Sequence, residues 1–188
     1  MLKDFVLKNR SYRRFYEEKK IETETLSELV DLARNTPSAA NRQPLRYILV
    51  NDEEKNEICF RNVKWAGYLS DWDGPQAGER PSAYIIMVTK GECNSAQDEG
   101  IAGQTILLGA AERGLGGCFI GNVDREHLTA QLGIDKDYKI KLVIALGYPK
   151  EEVVIEEIHD GEDIRYYRDD KQIHHVPKLA LEDVIIRL

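Results

Sequence analysis

An α+β fold, a mixed sheet flanked by helices, is the architecture this sequence predicts, and three observations carry that reading. Leu26, Leu29, Val30 and Ala33 recur at helical spacing and make one apolar stripe. Residues 84–88, Tyr-Ile-Ile-Met-Val, form a near-continuous apolar run of strand length, which implies burial on both faces. Strands and helices alternate, yet long irregular segments interrupt them, so a doubly wound parallel sheet fits less well.

Taken in order, Leu2, Phe5 and Val6 predict a short first helix ending near Asn9. The clearest amphipathic helix runs over 21–35, with Thr23 or Glu22 able to cap its start. Pro37 stops it, because a proline pushes the preceding residue out of helical geometry. Leu45–Val50 reads as a strand, and Asp52 as the cap of a short helix carrying Ile58 and Phe60. Residues 63–81 hold Trp65, Tyr68, Trp72 and several glycines with no steady period, which predicts an aromatic loop serving either to fill the core or to face a substrate.

After the apolar strand comes a long helix over 95–113, ended by Gly114. Its Gly100, Ala102, Gly103, Gly109, Ala110 and Ala111 weaken it intrinsically but let another element approach closely. It is therefore expected to be the central helix and a candidate dimer contact. The glycine-rich stretch 116–121 reads equally as a tight connection or as backbone brought against a ligand. Asp124 caps a helix closed by Gly133, residues 140–146 form another buried strand, and a last short helix covers 181–187.

At 188 residues the chain suits one domain, 1–188, with a real core. Hydrophobic residues at 42%, charged residues at 31% and a net charge of -7 describe a globular protein without the basic surface of a general nucleic-acid binder. Small molecules or another protein are the expected partners. The three cysteines, Cys59, Cys93 and Cys118, lie far apart with no Cys-x-x-Cys pair, which suggests neither a disulfide framework nor a zinc site. The first residues lack the apolar run of a signal peptide and no stretch is long enough to cross a bilayer, so the cytoplasm is the expected location and no membrane partner is expected.

Chemistry is suggested by two segments. Arg10-Ser11-Tyr12-Arg13-Arg14 gathers three cations and a hydroxyl in an otherwise acidic chain, which suits an anionic group such as phosphate as well as it suits a solvated turn. Pro37-Ser38-Ala39-Ala40-Asn41-Arg42-Gln43-Pro44 has little to pack into a core, but many amide and backbone groups to offer a polar ligand. Stretch 116–121 is no dinucleotide fingerprint, since no Gly-x-Gly-x-x-Gly opens a helix. His174 and His175 are adjacent, would face opposite ways on a strand, and lack an evident third ligand, so no metal site is expected. No Ser-His-Asp or Cys-His order supports hydrolysis.

A helix followed by Arg-Ser-x-Arg, then a helix running into Pro-Ser-x-x-Asn-x-Gln-Pro, resembles the N-terminal half of the FMN-dependent nitroreductase family. That resemblance extends over nearly the whole chain. It implies a largely antiparallel mixed sheet and an intertwined homodimer with two FMN sites at its interface. By the same resemblance Arg10, Ser11 and Arg13 would bind the FMN phosphate, and Pro37, Ser38, Ala39 and Asn41 would reach FMN, often the copy bound mainly by the partner subunit. Phe119, Ile120 and Gly121 would lie against the flavin ring, and Lys178 would complete the phosphate site. The chain has Asn9 where the family commonly has a basic residue, and Leu45 where many relatives have tryptophan. The activity implied is NAD(P)H oxidation with transfer of electrons, by a ping-pong route, to nitroaromatic, quinone or related acceptors. Dehalogenation, flavin fragmentation or flavin binding without turnover are the alternatives on the same scaffold.

Overall fold

The computed structural model describes residues 2–188, and the chain divides into two compact units. The larger comprises the residues up to Trp65 together with Gly74–Lys150, and the smaller comprises Ala66–Asp73 with Glu151–Leu188.

The larger unit is built on a four-stranded antiparallel sheet. Its helices are α1 (Leu2–Lys8), α2 (Thr23–Arg34), α3 (Glu53–Arg61), α4 (Ala96–Glu112) and α5 (Arg125–Leu132). Its strands are β1 (Leu45–Val50), β2 (Ala83–Lys90), β3 (Gly116–Ile120) and β4 (Tyr138–Gly147), in the order β1-β2-β4-β3. Strand β2 is buried on both faces, as its apolar run predicts, and the strand period sorts its side chains into two clusters. Ala83, Ile85 and Met87 join Leu26, Leu29, Ile106 and Ala110 on the side of α2 and α4. Tyr84, Ile86 and Val88 join Cys59 and Leu128 on the side of α3 and α5. Between Met87 and Val88 the register with β4 shifts, leaving Lys141 as the extra residue. That bulge restores Ile140 to the cluster of Val143 and Ala145, which an unbroken alternation would deny it.

Helix α4 packs against α2 through its small residues. A Cβ on Gly109 would lie 2.6 Å from Leu32 and 3.1 Å from Leu29, and one on Gly103 would collide with the Phe119 ring. Local signals hold where the sequence carries them: Asp52 accepts the Lys55 N–H at 2.9 Å, Asp124 accepts that of His127 at 3.1 Å, and Gly133 ends α5 at φ 65°. Glu22 occupies the position before α2 but its side chain makes no capping bond. Stretch 116–121 is not a loop. Residues 116–120 form β3, whose glycines face neighbours too close for a side chain: a Cβ on Gly117 would lie 2.6 Å from the Ala145 carbonyl oxygen.

The smaller unit carries a three-stranded sheet of β5 (Val153–Ile158), β6 (Tyr167–Arg168) and β7 (His174–Leu179), in the order β5-β7-β6. Strands β5 and β7 pair in parallel, β6 and β7 antiparallel. The last helix, α6 (Leu181–Val184), stops short of the expected 187. Every residue of that segment is exposed, so nothing packs against an apolar face to extend it. Tyr68 and Trp72 of the aromatic loop belong to this unit, where Tyr68 meets Tyr166 at 5.0 Å between ring centroids and the Arg168 guanidinium lies 4.2 Å from the Trp72 ring. Trp65 belongs to the larger unit and packs at 6.2 Å from Phe60.

Candidate functional site

Residues 10–15 leave α1 and run alongside β3. Ser11 forms a parallel bridge with Gly117, and the Tyr12 N–H donates to the Gly117 carbonyl at 3.0 Å. This docking requires a glycine opposite: the Tyr12 ring and Pro149 occupy the space a side chain on Gly116 would need. The segment is clamped at its far end by Arg14, whose guanidinium makes a two-pronged pair with Glu79 at 2.7 and 2.6 Å, with Lys150 3.3 Å from the same carboxylate. The Arg14 hydrogen bonds, joined by Lys150, hold the Glu79 carboxyl below its ordinary value against the opposing effect of burial. Arg14 is thereby a structural cation.

Arg10 and Arg13 are held differently. Arg13 is only 8% exposed, and its Nη1 donates to the Ser11 carbonyl at 3.2 Å. Arg10 donates through Nη2 to the Val6 carbonyl at 2.6 Å, while its Nε is buried and has no hydrogen-bond partner among the described residues. Burial pushes the Arg10 guanidinium down from its usual value, with Tyr12 opposing. A half-buried guanidinium with an unmatched N–H is a costly arrangement unless an anion completes it.

Strand β3 leads from Ser11's partner to Phe119, Ile120 and Gly121. Phe119 is half-buried over Gly103, Ile120 is buried, and Gly121 is exposed with open space where a Cβ would project. One guanidinium gathers the following turn: Arg125 donates to the carbonyls of Ile140 at 3.0 Å, Lys141 at 3.1 Å, Gly121 at 3.2 Å and Val123 at 3.4 Å.

The 37–44 loop is held by another element. Its centre, Ala39–Asn41, is a 3-10 turn, and Ala40, Asn41 and Gln43 all have positive φ, at 50°, 52° and 48°. Non-glycine residues rarely adopt such geometry without being held in place. The Ser38 hydroxyl accepts the Gln43 N–H at 2.9 Å, and the Ala39 N–H donates at 3.1 Å to the carboxylate of Asp98, a residue of α4 that is 6% exposed. Behind the loop lies a cavity of about 290 Å³ lined by Val30, Pro37, Ser38, Tyr47, Asp98 and Ala102 among others. Burial, then Asp98, push the Tyr47 phenol up, against Arg46. Pro37, Ala39 and Asn41 stay exposed.

The family model described as Nitroreductase family matches residues 6–148, a span containing Arg10 to Arg14, the 37–44 loop and β3. The chain belongs to the Nitroreductase family. A putative NADH dehydrogenase/NAD(P)H nitroreductase from Archaeoglobus fulgidus is 30% identical over 74% of this chain and 80% of that protein. The iodotyrosine deiodinase of Thermotoga neapolitana is 26% identical over 79% of this chain and 89% of its own length. Among solved structures, an FMN-dependent nitroreductase from Clostridium difficile is 25% identical and superposes with a TM-score of 0.63 over 79% of this chain and 87% of that one. The antiparallel sheet with its flanking helices is thus the nitroreductase fold, as the sequence leads one to expect.

Within this nitroreductase-family chain, the segment of Arg10, Ser11 and Arg13 docks on β3 through Ser11 and Gly117, the strand that carries Phe119 and Ile120 and leads to Gly121, while the 37–44 loop is tied to α4 through Ala39. Lys178 lies exposed on β7 of the smaller unit, opposite Glu157 of β5. The residues present suit the phosphate of FMN: the Arg10 Nε, unmatched among the described residues, and the buried Arg13 are donors of the kind a phosphate needs. Two residues of the site escape a sequence reading. Asp98 looks like one more acid in the first turn of a helix, and Arg125 like a surface cation; an acid placed beside the small residues of α4 was the one available hint. His175 is engaged by Glu156 at 2.6 Å and Asp169 at 3.4 Å, and no group of metal-ligating side chains occurs among the described residues. No helix of the described residues is long and apolar enough to cross a membrane.

Proposed function

We propose that the chain is an FMN-dependent oxidoreductase that takes electrons from NADH or NADPH and passes them, by a ping-pong route, to nitroaromatic, quinone or related small acceptors, working as a homodimer in the cytoplasm. The observation that carries this reading is the Arg10 Nε, buried without a hydrogen-bond partner among the described residues in the same short segment as the buried Arg13. Family membership and the names of the relatives support it. When bound, FMN supplies the hydride and electron chemistry. Arg10, Ser11 and Arg13 grip its phosphate through charge-assisted bonds. The backbone of Phe119, Ile120 and Gly121 runs past the ring, with the Ile120 side chain turned into the core, and the Arg125 clamp on the Gly121 carbonyl fixes the direction of that backbone. Pro37, Ser38, Ala39 and Asn41 reach a flavin from the loop that Asp98 holds through the Ala39 N–H, with the exposed Asn41 side chain as the polar group offered, and no side-chain acid or base is assigned.

The visible absorption spectrum of the purified protein tests the reading. A yellow protein that bleaches anaerobically with NADH or NADPH, and is reoxidised by a nitroaromatic, supports it. Colourless protein that takes up no added FMN refutes it. Reductive dehalogenation is the second reading, favoured by the similarity to the deiodinase. Iodide release from iodotyrosine, without nitroaromatic turnover, would put it first.

A further inference from the structure

The cavity of about 290 Å³ behind the 37–44 loop lies between the end of α2, the start of α4 and the start of β1. Two periods aim side chains toward it. Leu45, Tyr47 and Leu49 alternate onto one face of the edge strand β1 and pack against the core cluster on the side of α2 and α4. Asp98, Ala102 and Ile106, four residues apart, share one face of α4, and Ala102 and Ile106 belong to that same cluster. Tyr47 and Asp98 thus turn toward the same side of the sheet, and both line the cavity. They also act on one another: burial first, and then the Asp98 charge, push the Tyr47 phenol up.

Neither group is used up by the fold. One Asp98 oxygen accepts the Ala39 N–H at 3.1 Å; the other makes no hydrogen bond among the described residues, and neither does the Tyr47 hydroxyl. Both atoms are accessible, unlike the sealed, unmatched polar atoms elsewhere in the chain. Asp98 is only 6% exposed, so a group that meets its second oxygen comes by way of the cavity it lines. The bond to Ala39 fixes the carboxylate before any ligand arrives, which removes part of the ordering cost of binding.

Their chemistry selects the ligand. An ionised carboxylate only accepts, whereas the Tyr47 hydroxyl also donates, so one hydroxyl on a ligand can donate to Asp98 and accept from Tyr47. The rest of the wall is largely apolar, with Val30 and Ala33 of α2, Pro44, Leu45 and Ala102, which suits a ring. An ammonium would also match Asp98, but Arg34 and Arg46 line the same cavity and oppose a second cation. Asp31 offsets Arg34 at 2.6 Å, while Arg46 has only the Gln43 and Leu45 carbonyls, at 3.0 and 2.7 Å. An anion would meet Asp98. We propose that this cavity binds a small neutral phenol, its hydroxyl donating to Asp98 and accepting from Tyr47, and its ring against Val30, Leu45 and Ala102. The volume sits at the lower end of ligand pockets, which matches a single substituted ring. The assignment does not rest on the flavin reading, although Pro37 and Ser38 form part of the wall.

Titration calorimetry of the purified protein with p-cresol tests this, with toluene and benzylamine as controls. Expected are saturable binding of p-cresol and about tenfold weaker binding of toluene, which lacks the hydroxyl, and of benzylamine, which brings a cation. Tyr47→Phe deletes a hydroxyl the fold does not use, so it should lower p-cresol affinity roughly three- to tenfold without lowering the melting temperature. Asp98→Asn keeps an oxygen for the Ala39 N–H but turns the second acceptor into a donor, and should cost about tenfold. Colour separates this site from the flavin: a colourless protein leaves the titration standing, and a yellow one should gain no long-wavelength charge-transfer band with p-cresol. Absence of saturable heat, toluene or benzylamine bound as tightly as p-cresol, wild-type affinity in either variant, or a charge-transfer band that places p-cresol on the flavin overturns the proposal.

Discussion

Arg10→Met separates a ligand-binding cation from a structural one, because the two roles predict opposite outcomes for the empty and the loaded protein. Among the described residues Arg10 donates one hydrogen bond, to the Val6 carbonyl, and its Nε is buried and unmatched. Deleting the bond costs about 0.5–1.5 kcal/mol, and relieving a buried unmatched donor returns about 1–3 kcal/mol. Methionine keeps most of the apolar stem. The flavin-stripped variant should therefore match the wild type within about 1 kcal/mol, or exceed it. Binding is another matter, since the charge-assisted bond to phosphate is worth about 1.5–3 kcal/mol, or roughly ten- to 150-fold in affinity. Flavin fluorescence quenching gives the dissociation constant and urea unfolding of stripped protein gives the stability. An FMN affinity within threefold of wild type, together with a loss of more than about 2 kcal/mol in the stripped protein, would show that Arg10 is a packing residue and that the phosphate site is misplaced.

Asp98→Ala should release the Ala39 N–H and loosen a turn that holds three non-glycine residues at positive φ. FMN affinity should fall about tenfold, and limited proteolysis should cut near 39–43; an uncut loop with wild-type affinity would mean that Asp98 does not hold it. Thiol labelling of the native protein should reach Cys93 and spare Cys59, because burial, then Asp52, push the Cys59 thiol up to about 12 and Cys93 is more accessible. Mass spectrometry of the labelled peptides checks this. The Glu79 carboxyl is held low by Arg14 and Lys150, so its stabilising effect is complete above the ordinary glutamate value, about 4.3, and disappears as pH falls through the lower folded value. Thermal melts should therefore show Glu79→Gln less stable than wild type by a constant margin from about pH 5 upward, a margin that closes on acidification.

Much of this protein is written in short-range terms. The stripe of α2, the two-faced burial of β2, the Asp52 and Asp124 caps and the Gly133 stop need only neighbouring residues and the periods of helix and strand, so they are legible before any tertiary contact is known. The residue types of the site are legible in the same way, as clustered arginines and a proline-bounded amide loop.

What only the tertiary structure decided is how those residues are used. Glycines of 116 and 117 look like a flexible turn until the Tyr12 ring and the Ala145 carbonyl are seen to press on them, which makes them strand residues chosen for closeness. Arg14 is indistinguishable in sequence from Arg10, yet Glu79, 65 residues away, takes it for the scaffold and leaves Arg10 with an unmatched N–H. The parallel pairing of 153–158 with 174–179 and the grip of Asp98 on Ala39, 59 positions apart, are likewise long-range. Period and capping act within a few residues along the chain, whereas a charge finds its partner only once folding has fixed the distances between segments.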